Sequence, residues 1–349
     1  MITAMPERLS ADEPVADPFA ERAARCHRRR FALLGGVFEF QSPSRQQLGL
    51  VDAAYAGLAA PAMPRNAARF TVRLQLTEGP AYATTQGPPP LRTQGGAGML
   101  VGAVDSANFA SVHAGSRSAL VAISRQMLDF PYHARYELLE FAVFTLASRA
   151  LGLAPLHAGC VGRHGLGLLL LGASGAGKST LALLGQAQGL EILSEDATFV
   201  DPQGLRAHGV ANFLHLRTDG LDVIDDAALA AGVRTSPRIR RRSGVEKFEF
   251  DLRQLAFGTT SGPLRIVGTV LMSARAVAGR EPLTPLGRRA LAPRLAASQP
   301  YAAGLPGWAA LAQALAGEAA WELRRGPQPR DAARSLVALL DAKAAAALG

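Results

Sequence analysis

The chain has 349 residues, of which 48% are hydrophobic and 19% are charged, so it can bury a sizeable core and wholesale disorder is excluded. Lys and Arg number 37 against 28 Asp and Glu, and this formal net charge of +9 favours polyanionic ligands such as nucleotides. Nearly all of the positive charge is arginine, in a chain rich in Ala, Gly, Leu and Pro, which is typical of a gene with high GC content. The charge therefore does not indicate nucleic-acid binding, and we expect no nucleic-acid partner.

The cysteines and the apolar runs bear on the compartment. Cys26 and Cys160 lie in unrelated surroundings, so there is no disulfide framework and no CxxC metal signature, which fits a reducing compartment. The N-terminus has acidic residues and lacks the apolar centre of a secretory signal. The run from Leu166 to Gly172 is too short to span a bilayer. We expect a cytoplasmic protein with no membrane partner.

The first third of the chain predicts an accessory region. Residues 1–27 are polar and rich in Ala and Pro, and we expect them to be flexible. Residues 28–135 are expected to form a small α+β domain without a visible catalytic motif. Its predicted elements are a strand pair in FALLGGVFEFQ, a helix that stops at Pro61, a strand over 69–76, a Pro/Gly-rich loop over 77–97, and strands in MLVGAVD and ALVAISR.

Residues 136–349 are expected to form the larger domain. A helix is predicted over 136–155, followed by two adjacent strands, LHAGCVG and LGLLLLG, around the turn RHG. A glycine-rich loop, the helix STLALLGQAQG and the strand LEILSED come next. This order of strand, loop, helix and strand is typical of the βαβ core of P-loop proteins.

The elements beyond this core are predicted more coarsely. ATFVDPQGLRAHG is expected to form a hairpin, FLHLRTDG a strand and a turn, and SPRIRRRSG (236–244) a mobile basic loop. KFEFDLRQL and LRIVGTVLMSAR are predicted strands, and the tail from Trp308 is predicted to be helical.

The glycine-rich loop fits the phosphate-binding pattern GxxxxGK[ST] in full. Its glycines let backbone N–H groups converge on phosphate oxygens at a helix N-terminus, Lys178 supplies a positive charge to the β- and γ-phosphates, and Ser179 is the expected Mg²⁺ ligand. The predicted ATP-binding residues are Gly172, Ala173, Ser174, Gly175, Ala176, Gly177, Lys178, Ser179, Thr180 and Lys247.

Two acids, Glu195 and Asp196, end the strand that follows, 17 and 18 positions after Lys178. Paired acids facing a P-loop can hold Mg²⁺ and take a proton from an attacking hydroxyl. Transporter ATPases and most helicases have a large segment before this acid, and the chain lacks the NKxD motif of small GTPases and an LSGGQ signature. The short spacing therefore indicates a compact kinase.

Basic residues near the predicted strands are further candidates. The run containing Arg238, Arg240, Arg241, Arg242 and Lys247 could clamp a triphosphate, steer an acidic peptide or simply be a solvated face. Arg217 and Lys247 are favoured because each lies beside a strand that can direct its side chain, and Arg217 is included among the catalytic candidates.

The stretch from Leu156 to Ala197 resembles the catalytic core of the HPr kinase/phosphorylase family, and most of all its divergent branch from peptide-modification and lasso-peptide gene clusters. The resemblance implies an α/β P-loop kinase core of the HPr kinase and phosphoenolpyruvate carboxykinase type, preceded by a small α+β domain. It also implies that Glu195 activates the substrate serine hydroxyl with the help of His157, and that Asp196 and Ser179 hold the metal. The chain has His215-Leu216-Arg217 where the family has Glu-x-Arg.

The expected function is that of an ATP- and Mg²⁺-dependent kinase acting on a serine-type hydroxyl of a peptide or small protein, such as a precursor peptide. Two alternatives stay open at this point: a kinase for a metabolite or sugar hydroxyl, and a nucleotide-binding sensor without catalysis. The sequence also leaves a homo-oligomer open.

Overall fold

The computed structural model describes residues 26–83, 87–255, 257–276, 283–325 and 329–348. Most of the predicted flexible N-terminus, residues 1–25, lies outside the described residues, and His27 already belongs to a strand. Both cysteines are free, Cys26 exposed and Cys160 buried. In the described part of the chain, no helix combines the length and the apolar character needed to cross a membrane.

The N-terminal third forms a seven-stranded sheet with one helix between its second and third strands. These elements are β1 (His27–Leu33), β2 (Gly36–Ser42), α1 (Arg45–Tyr55), β3 (Ala68–Thr77), β4 (Arg92–Gly96), β5 (Met99–Ala103), β6 (Phe109–His113) and β7 (Ser118–Ser124). The strand order is β1-β2-β3-β7-β6-β5-β4, with parallel pairing at β2–β3 and β3–β7 and antiparallel pairing elsewhere.

The sequence predictions for this sheet are confirmed except at two strands. The predicted strand pair, the helix and the strand over 69–76 are present, with the helix ending at Tyr55, before Pro61. The predicted loop over 77–97 is wrong at its end, where β4 pairs with β5. The predictions also missed β6. Both strands depend on cross-strand hydrogen bonds that the local composition does not reveal.

A continuous helical segment joins this sheet to the rest of the chain. It consists of α2 (Pro131–His133), a π-helical stretch (Ala134–Leu139) and α3 (Glu140–Leu151). Gly152 ends it in the left-handed conformation, with φ +69°. The observed helix thus begins and ends earlier than the predicted range 136–155. The apolar face of α3 packs into the core beneath the seven-stranded sheet, with Val143 and Leu146 fully buried.

The remaining strands form a nine-stranded sheet and a three-stranded sheet. In chain order the strands are β8 (Ala154–His157), β9 (Gly159–Arg163), β10 (Leu166–Leu171), β11 (Glu191–Ser194), β12 (Ala197–Val200), β13 (Arg206–Gly209), β14 (Phe213–Leu216), β15 (Arg238–Arg240), β16 (Glu246–Asp251), β17 (Leu264–Ala276), β18 (Leu283–Pro285) and β19 (Ala319–Arg325). The helices are α4 (Lys178–Gln186), α5 (Ala227–Thr235), α6 (Arg288–Ser298), α7 (Pro300–Ala303), α8 (Trp308–Gly317) and α9 (Pro329–Leu348).

In the larger sheet the order is β11-β9-β10-β17-β13-β12-β8, and β19 pairs with β17 and β18. The strands β10 and β11 flank the P-loop helix in sequence but are not neighbours, because β9 lies between them and is antiparallel to both. The strand β10 is parallel to β17. The smaller sheet has the order β14-β16-β15.

Several predictions for this half are corrected. The predicted strand LHAGCVG is two strands, β8 and β9, with different partners. The predicted basic loop 236–244 contains β15, and the predicted helical tail contains β19, which pairs parallel with β17. The ATFVDPQGLRAHG hairpin is confirmed as β12 and β13.

The strand β10 is buried on both faces and separates two hydrophobic cores. Leu168 and Leu170 belong to the core that includes α4 and α9, whereas Leu169 and Leu171 belong to the core on the opposite face with α6 and α8. Successive side chains of a strand point to opposite faces, so an uninterrupted leucine run suits a strand covered on both sides. This rigid central strand leads directly into the glycine-rich loop.

Candidate active site

The glycine-rich loop connects the end of β10 to the start of α4. Gly175 and Gly177 have φ of +82° and +96°, a region that side chains with a Cβ rarely adopt. The backbone N–H of Ala176 donates to the carbonyl of Ala173 at 3.0 Å, which closes a tight turn. The first N–H groups of a helix have no partners within it, so the start of α4 at Lys178 is suited to bind an anion.

Lys178 lies at the mouth of this loop with only 7% of its surface exposed. Its Nζ donates to the carbonyl oxygens of Gly172 at 2.8 Å and Ala173 at 3.5 Å, and lies 3.9 Å from Oδ1 of Asp196. The loop carbonyls therefore hold a positive charge between the helix start and the acid pair.

The acid pair follows β11, and its two side chains contact different partners. The Ser179 hydroxyl donates to Oε1 of Glu195 at 2.5 Å, and Nε2 of His157 lies 2.7 Å from Oδ1 of Asp196. Both acids lie in the bend between β11 and β12, and there their side chains reach different partners. His157 therefore contacts Asp196, whereas the resemblance implied that it assists Glu195.

The backbone of His157 is held by a glutamine from the other end of the chain. Gln299 is 2% exposed, accepts from the N–H of His157 at 2.7 Å and donates to its carbonyl at 3.0 Å. His157 also stands opposite Ala197 in the pairing of β8 with β12. These contacts fix the histidine beside the acid pair, and nothing in the local sequence of Gln299 pointed to this role.

The charges around Asp196 favour its ionised form. Burial alone would raise the pKa of Asp196, but the hydrogen bond and charge of His157, together with the charges of Lys178 and Arg241, hold that pKa well below its usual range. Arg241 contributes from 3.8 Å. Asp196 is therefore a carboxylate throughout the neutral range.

Sequence reasoning did not assign a role to His215, which lies on the other side of Glu195. His215 is 6% exposed, and its Nδ1 lies 3.0 Å from Oε2 of Glu195 while its Nε2 lies 3.2 Å from Oε1 of Glu249. Burial alone would lower the pKa of His215, but the hydrogen bonds with these two carboxylates outweigh it and raise the pKa. The only signal in the sequence was the position of His215 in the triplet that replaces Glu-x-Arg.

Basic side chains surround the rest of the site. Arg217 is half-exposed, with its Nε 3.2 Å from Oδ1 of Asp219. Lys247 is half-buried, and burial, with a contribution from the nearby charges of Arg241 and Lys178, lowers its pKa. Arg241 lies over the ring of Tyr136, with its Cζ 5.4 Å from the ring centroid.

One cavity of about 500 Å³ brings these groups together. Its walls include the predicted residues His157, Ser174 to Thr180, Glu195, Asp196, Arg217 and Lys247, and also Tyr132, Tyr136, His215, Arg241 and Arg242. Gly172 and Ala173 do not line the cavity but contact Lys178. The volume lies in the range of small-molecule sites, and the mixture of helix start, cations and acids suits a phosphorylated ligand.

The oxygen ligands available here fit Mg²⁺ held jointly with phosphates. Within the described residues, no group of three or more His, Cys, Asp or Glu side chains could hold a metal ion alone. The hydroxyl of Ser179 and the carboxylate of Glu195 nevertheless present two hard oxygen ligands next to the phosphate-binding loop. Mg²⁺ is commonly bound in this way, through one or two protein oxygens, substrate phosphates and water.

Comparisons with known proteins add a structural likeness. A scan against protein-family models finds no match, and a search of the curated proteins finds none. The chain is similar to the structure of the HPr(Ser) kinase/phosphatase from Coxiella burnetii, with 10% sequence identity and a TM-score of 0.30 over 56% of this chain and 97% of that chain.

Proposed function

We propose that the protein is an ATP-dependent kinase that transfers the γ-phosphoryl group to a serine-type hydroxyl of a peptide or small protein. One observation carries the proposal: the phosphate-binding loop from Ser174 to Thr180, with its lysine and serine, and an acid–histidine pair line the same cavity. Phosphoryl transfer depends mainly on positioning and charge neutralisation, and the cavity supplies groups for both.

In this proposal the triphosphate lies along the glycine-rich loop, at the start of α4. The N–H groups of Gly175 and of Gly177 to Thr180, together with the ammonium of Lys178, bind phosphate oxygens. Lys247 and Arg217 line the same cavity and add positive charge near the phosphates.

Ser179 and Glu195 would hold Mg²⁺. Bound Mg²⁺ neutralises negative charge on the β- and γ-phosphates. This assignment differs from the sequence expectation, which gave the metal to Asp196. It is supported by the hydrogen bond between Ser179, the expected metal ligand of the loop, and Glu195.

Asp196 then takes the role that the sequence had given to Glu195. The acceptor oxygen forms a bond to the γ-phosphorus, the bond from that phosphorus to the β–γ bridging oxygen breaks, ADP leaves, and the hydroxyl proton passes to the Asp196 carboxylate. His157 orients that carboxylate through its Nε2 contact. A weakly basic carboxylate suffices, because in a loose transition state the bond to the acceptor oxygen is hardly formed and the hydroxyl loses its proton late.

The wall that carries Tyr132, Tyr136, Arg241 and Arg242 supports a peptide acceptor. It lines the same cavity as the acid pair, and it combines aromatic rings with guanidinium groups. Such a surface suits a peptide whose acceptor serine is flanked by aliphatic or acidic residues. A precursor peptide, as the family resemblance implies, is the acceptor that we propose.

The test incubates the protein with ATP, Mg²⁺ and candidate serine-containing peptides. We expect a phosphopeptide with the wild type and a yield lower by roughly 10²-fold or more with Lys178→Ala, because a preorganised charge at the phosphates is lost. Lys343→Ala is the matched control, since Lys343 lies in α9 and does not line the cavity. Equal phosphopeptide yields from wild type and Lys178→Ala would contradict the proposal, and ADP release with metabolites alone would favour a small-molecule acceptor.

A further inference from the structure

A chain of buried contacts leads away from Glu195 on the side opposite the loop. Both oxygens of the Glu195 carboxylate are occupied, Oε1 by the Ser179 hydroxyl at 2.5 Å and Oε2 by Nδ1 of His215 at 3.0 Å. The second ring nitrogen of His215 contacts Glu249 at 3.2 Å. Because both ring nitrogens contact carboxylates, the imidazole has one orientation that satisfies its neighbours.

The chain continues from Glu249 into the segment that joins the two large sheets. NH2 of Arg135 hydrogen-bonds Oε1 of Glu249, and the Cζ of Arg135 lies 3.9 Å from the ring centroid of Phe213. Arg135 belongs to the π-helical stretch and is 5% exposed. Its Nε lies 3.7 Å from Oε1 of Glu140, at the start of α3.

The last contacts reach the N-terminal part of the molecule. The Nδ2 of Asn212 donates to Oε1 of Glu140 at 3.0 Å and to the carbonyl of Ala54 at 3.3 Å. Ala54 lies in the last turn of α1. Hydrogen bonds, with one ion pair at 3.7 Å between Arg135 and Glu140, therefore link α1, the joining segment and the carboxylate beside Ser179.

We propose that Glu249 and Arg135, acting through His215, are positioning residues that hold the Glu195 carboxylate on the Ser179 hydroxyl and so preorganise the metal side of the site. The inference rests on the proposed function, because it assumes that Ser179 and Glu195 receive Mg²⁺. Side chains that orient a metal-binding carboxylate determine how well the metal is bound, although they do not touch it. The joining segment and α1 then contribute to the site as well as to the core.

If these residues were only structural, their replacement would lower stability, as for any buried polar pair, without a selective effect on Mg²⁺ binding. A positioning role predicts a selective effect on Mg²⁺. The carboxylate of Glu195 would lose its fixed orientation, while the loop amides and Lys178, which bind the phosphates directly, would stay in place. The coupling between Mg²⁺ and nucleotide binding separates the two roles.

The experiment measures binding of a non-hydrolysable ATP analogue by calorimetry, with and without Mg²⁺, for the full chain. We expect Glu249→Gln to weaken the Mg²⁺-dependent part of binding by about 10- to 100-fold and to leave metal-free binding within about twofold. His215→Asn keeps an N–H donor on the Glu195 side, and we expect a smaller loss. This second variant also provides the test if Glu249→Gln does not fold.

Asp105→Asn is the matched control, because Asp105 has a comparable set of hydrogen bonds from Tyr82 and Asn108 within the N-terminal sheet. It should lower the melting temperature without changing the Mg²⁺ dependence. Wild-type Mg²⁺ dependence in both Glu249→Gln and His215→Asn would overturn the inference, as would an equal loss with and without Mg²⁺. Wild type that binds ATP and Mg²⁺ but phosphorylates nothing would refute the proposed function alone, since this measurement needs no turnover.

Discussion

Nε2 of His157 lies 2.7 Å from Oδ1 of Asp196, at the point where β8 ends and the chain passes from β11 to β12. The histidine is half-exposed to the cavity, whereas the acid is three-quarters covered. Glu195 instead contacts the Ser179 hydroxyl, so the two neighbouring acids have different partners and different environments. In our proposal they also have different tasks.

Replacement of His157 by alanine should slow phosphoryl transfer more than it weakens nucleotide binding. The Asp196 carboxylate would lose the contact that orients it towards the acceptor hydroxyl, and we expect kcat to fall about 10- to 100-fold. The KM for ATP should stay within about threefold, because the loop amides and Lys178 bind the phosphates. Steady-state kinetics with the phosphorylated peptide would measure both values.

His164→Ala is the control for this substitution. His164 lies in the turn between β9 and β10, pairs with Asp341 at 3.0 Å and does not line the cavity. It should leave both constants unchanged. A parallel loss of kcat and ATP affinity in His157→Ala would contradict a role for His157 in orienting Asp196.

The two acids should respond differently to removal of their charge. Glu195→Gln should weaken Mg²⁺-dependent ATP binding by at least about tenfold, because a carboxylate ligand is replaced by a neutral amide. Asp196→Asn should preserve that binding and reduce kcat by roughly 10²- to 10⁴-fold, the range for loss of an acid–base group. Calorimetry with and without Mg²⁺, combined with kcat, measures the difference. The opposite pattern would restore the order of roles expected from the sequence.

The parts of the site that could be predicted from the sequence are those encoded by contiguous residues. The loop from Gly172 to Thr180 is one motif between a buried strand and a helix, so its conformation follows from local constraints. The direction of each acid could not be predicted. The pairing of β11 with β9 shifts register between Ile192 and Ser194, and such an irregularity changes the face to which the following side chains point.

Elements whose partners lie far away in the sequence were missed, because the local sequence does not reveal those partners. The segment Ala319–Arg325 is rich in residues that favour helices, but hydrogen bonds with β17 make it a strand. His215 is flanked by the buried Leu214 and Leu216, so its strand had the pattern of a core element. Its partners lie 20 and 34 residues away in the sequence, and only the folded chain brings them together.

Glu137, in the π-helical stretch, forms an ion pair with Arg242, between β15 and β16, and this pair should make stability depend on pH. Both guanidinium contacts with the Glu137 carboxylate are 2.6 Å, and Arg242 also donates to the carbonyl of Pro89 at 2.9 Å. Burial alone would raise the pKa of Glu137, but hydrogen bonds with His133 and Arg242 and their charges lower it below the ordinary 4.5. The stabilisation is therefore present above pH 4.5 and is lost as the pH falls through the lower, folded-state value.

Glu137→Gln should consequently melt about 1–2 °C below wild type at pH 7.5, for a loss of about 1 kcal/mol in a chain of this length. The difference should shrink towards pH 3.5. Melting temperatures across this range, repeated in an Arg242→Ala background, provide the check, because residues that interact directly give non-additive losses. A difference that is the same at both pH values, or losses that simply add, would contradict the ion pair's role.

Gly159 lies against the backbone that carries the acid pair. A Cβ at this position would stand 2.9 Å from the carbonyl oxygen of Glu195 and 3.6 Å from that of Ser194. The neighbouring atoms are backbone, so they cannot rotate away as a flexible side chain could. Only glycine allows β9 to approach the end of β11 this closely.

Gly159→Ala should therefore move the end of β11 and both carboxylates with it. We expect kcat to fall on the order of 10²-fold, the loss expected for a misplacement of about 1 Å, and the free energy of unfolding to fall by about 1–3 kcal/mol. Gly49→Ala is the control, because Gly49 lies in α1 and a Cβ there meets nothing within 4 Å. That variant should keep wild-type kcat and gain about 0.5–1 kcal/mol in stability. Wild-type kcat in Gly159→Ala would show that the acid pair tolerates displacement of this backbone.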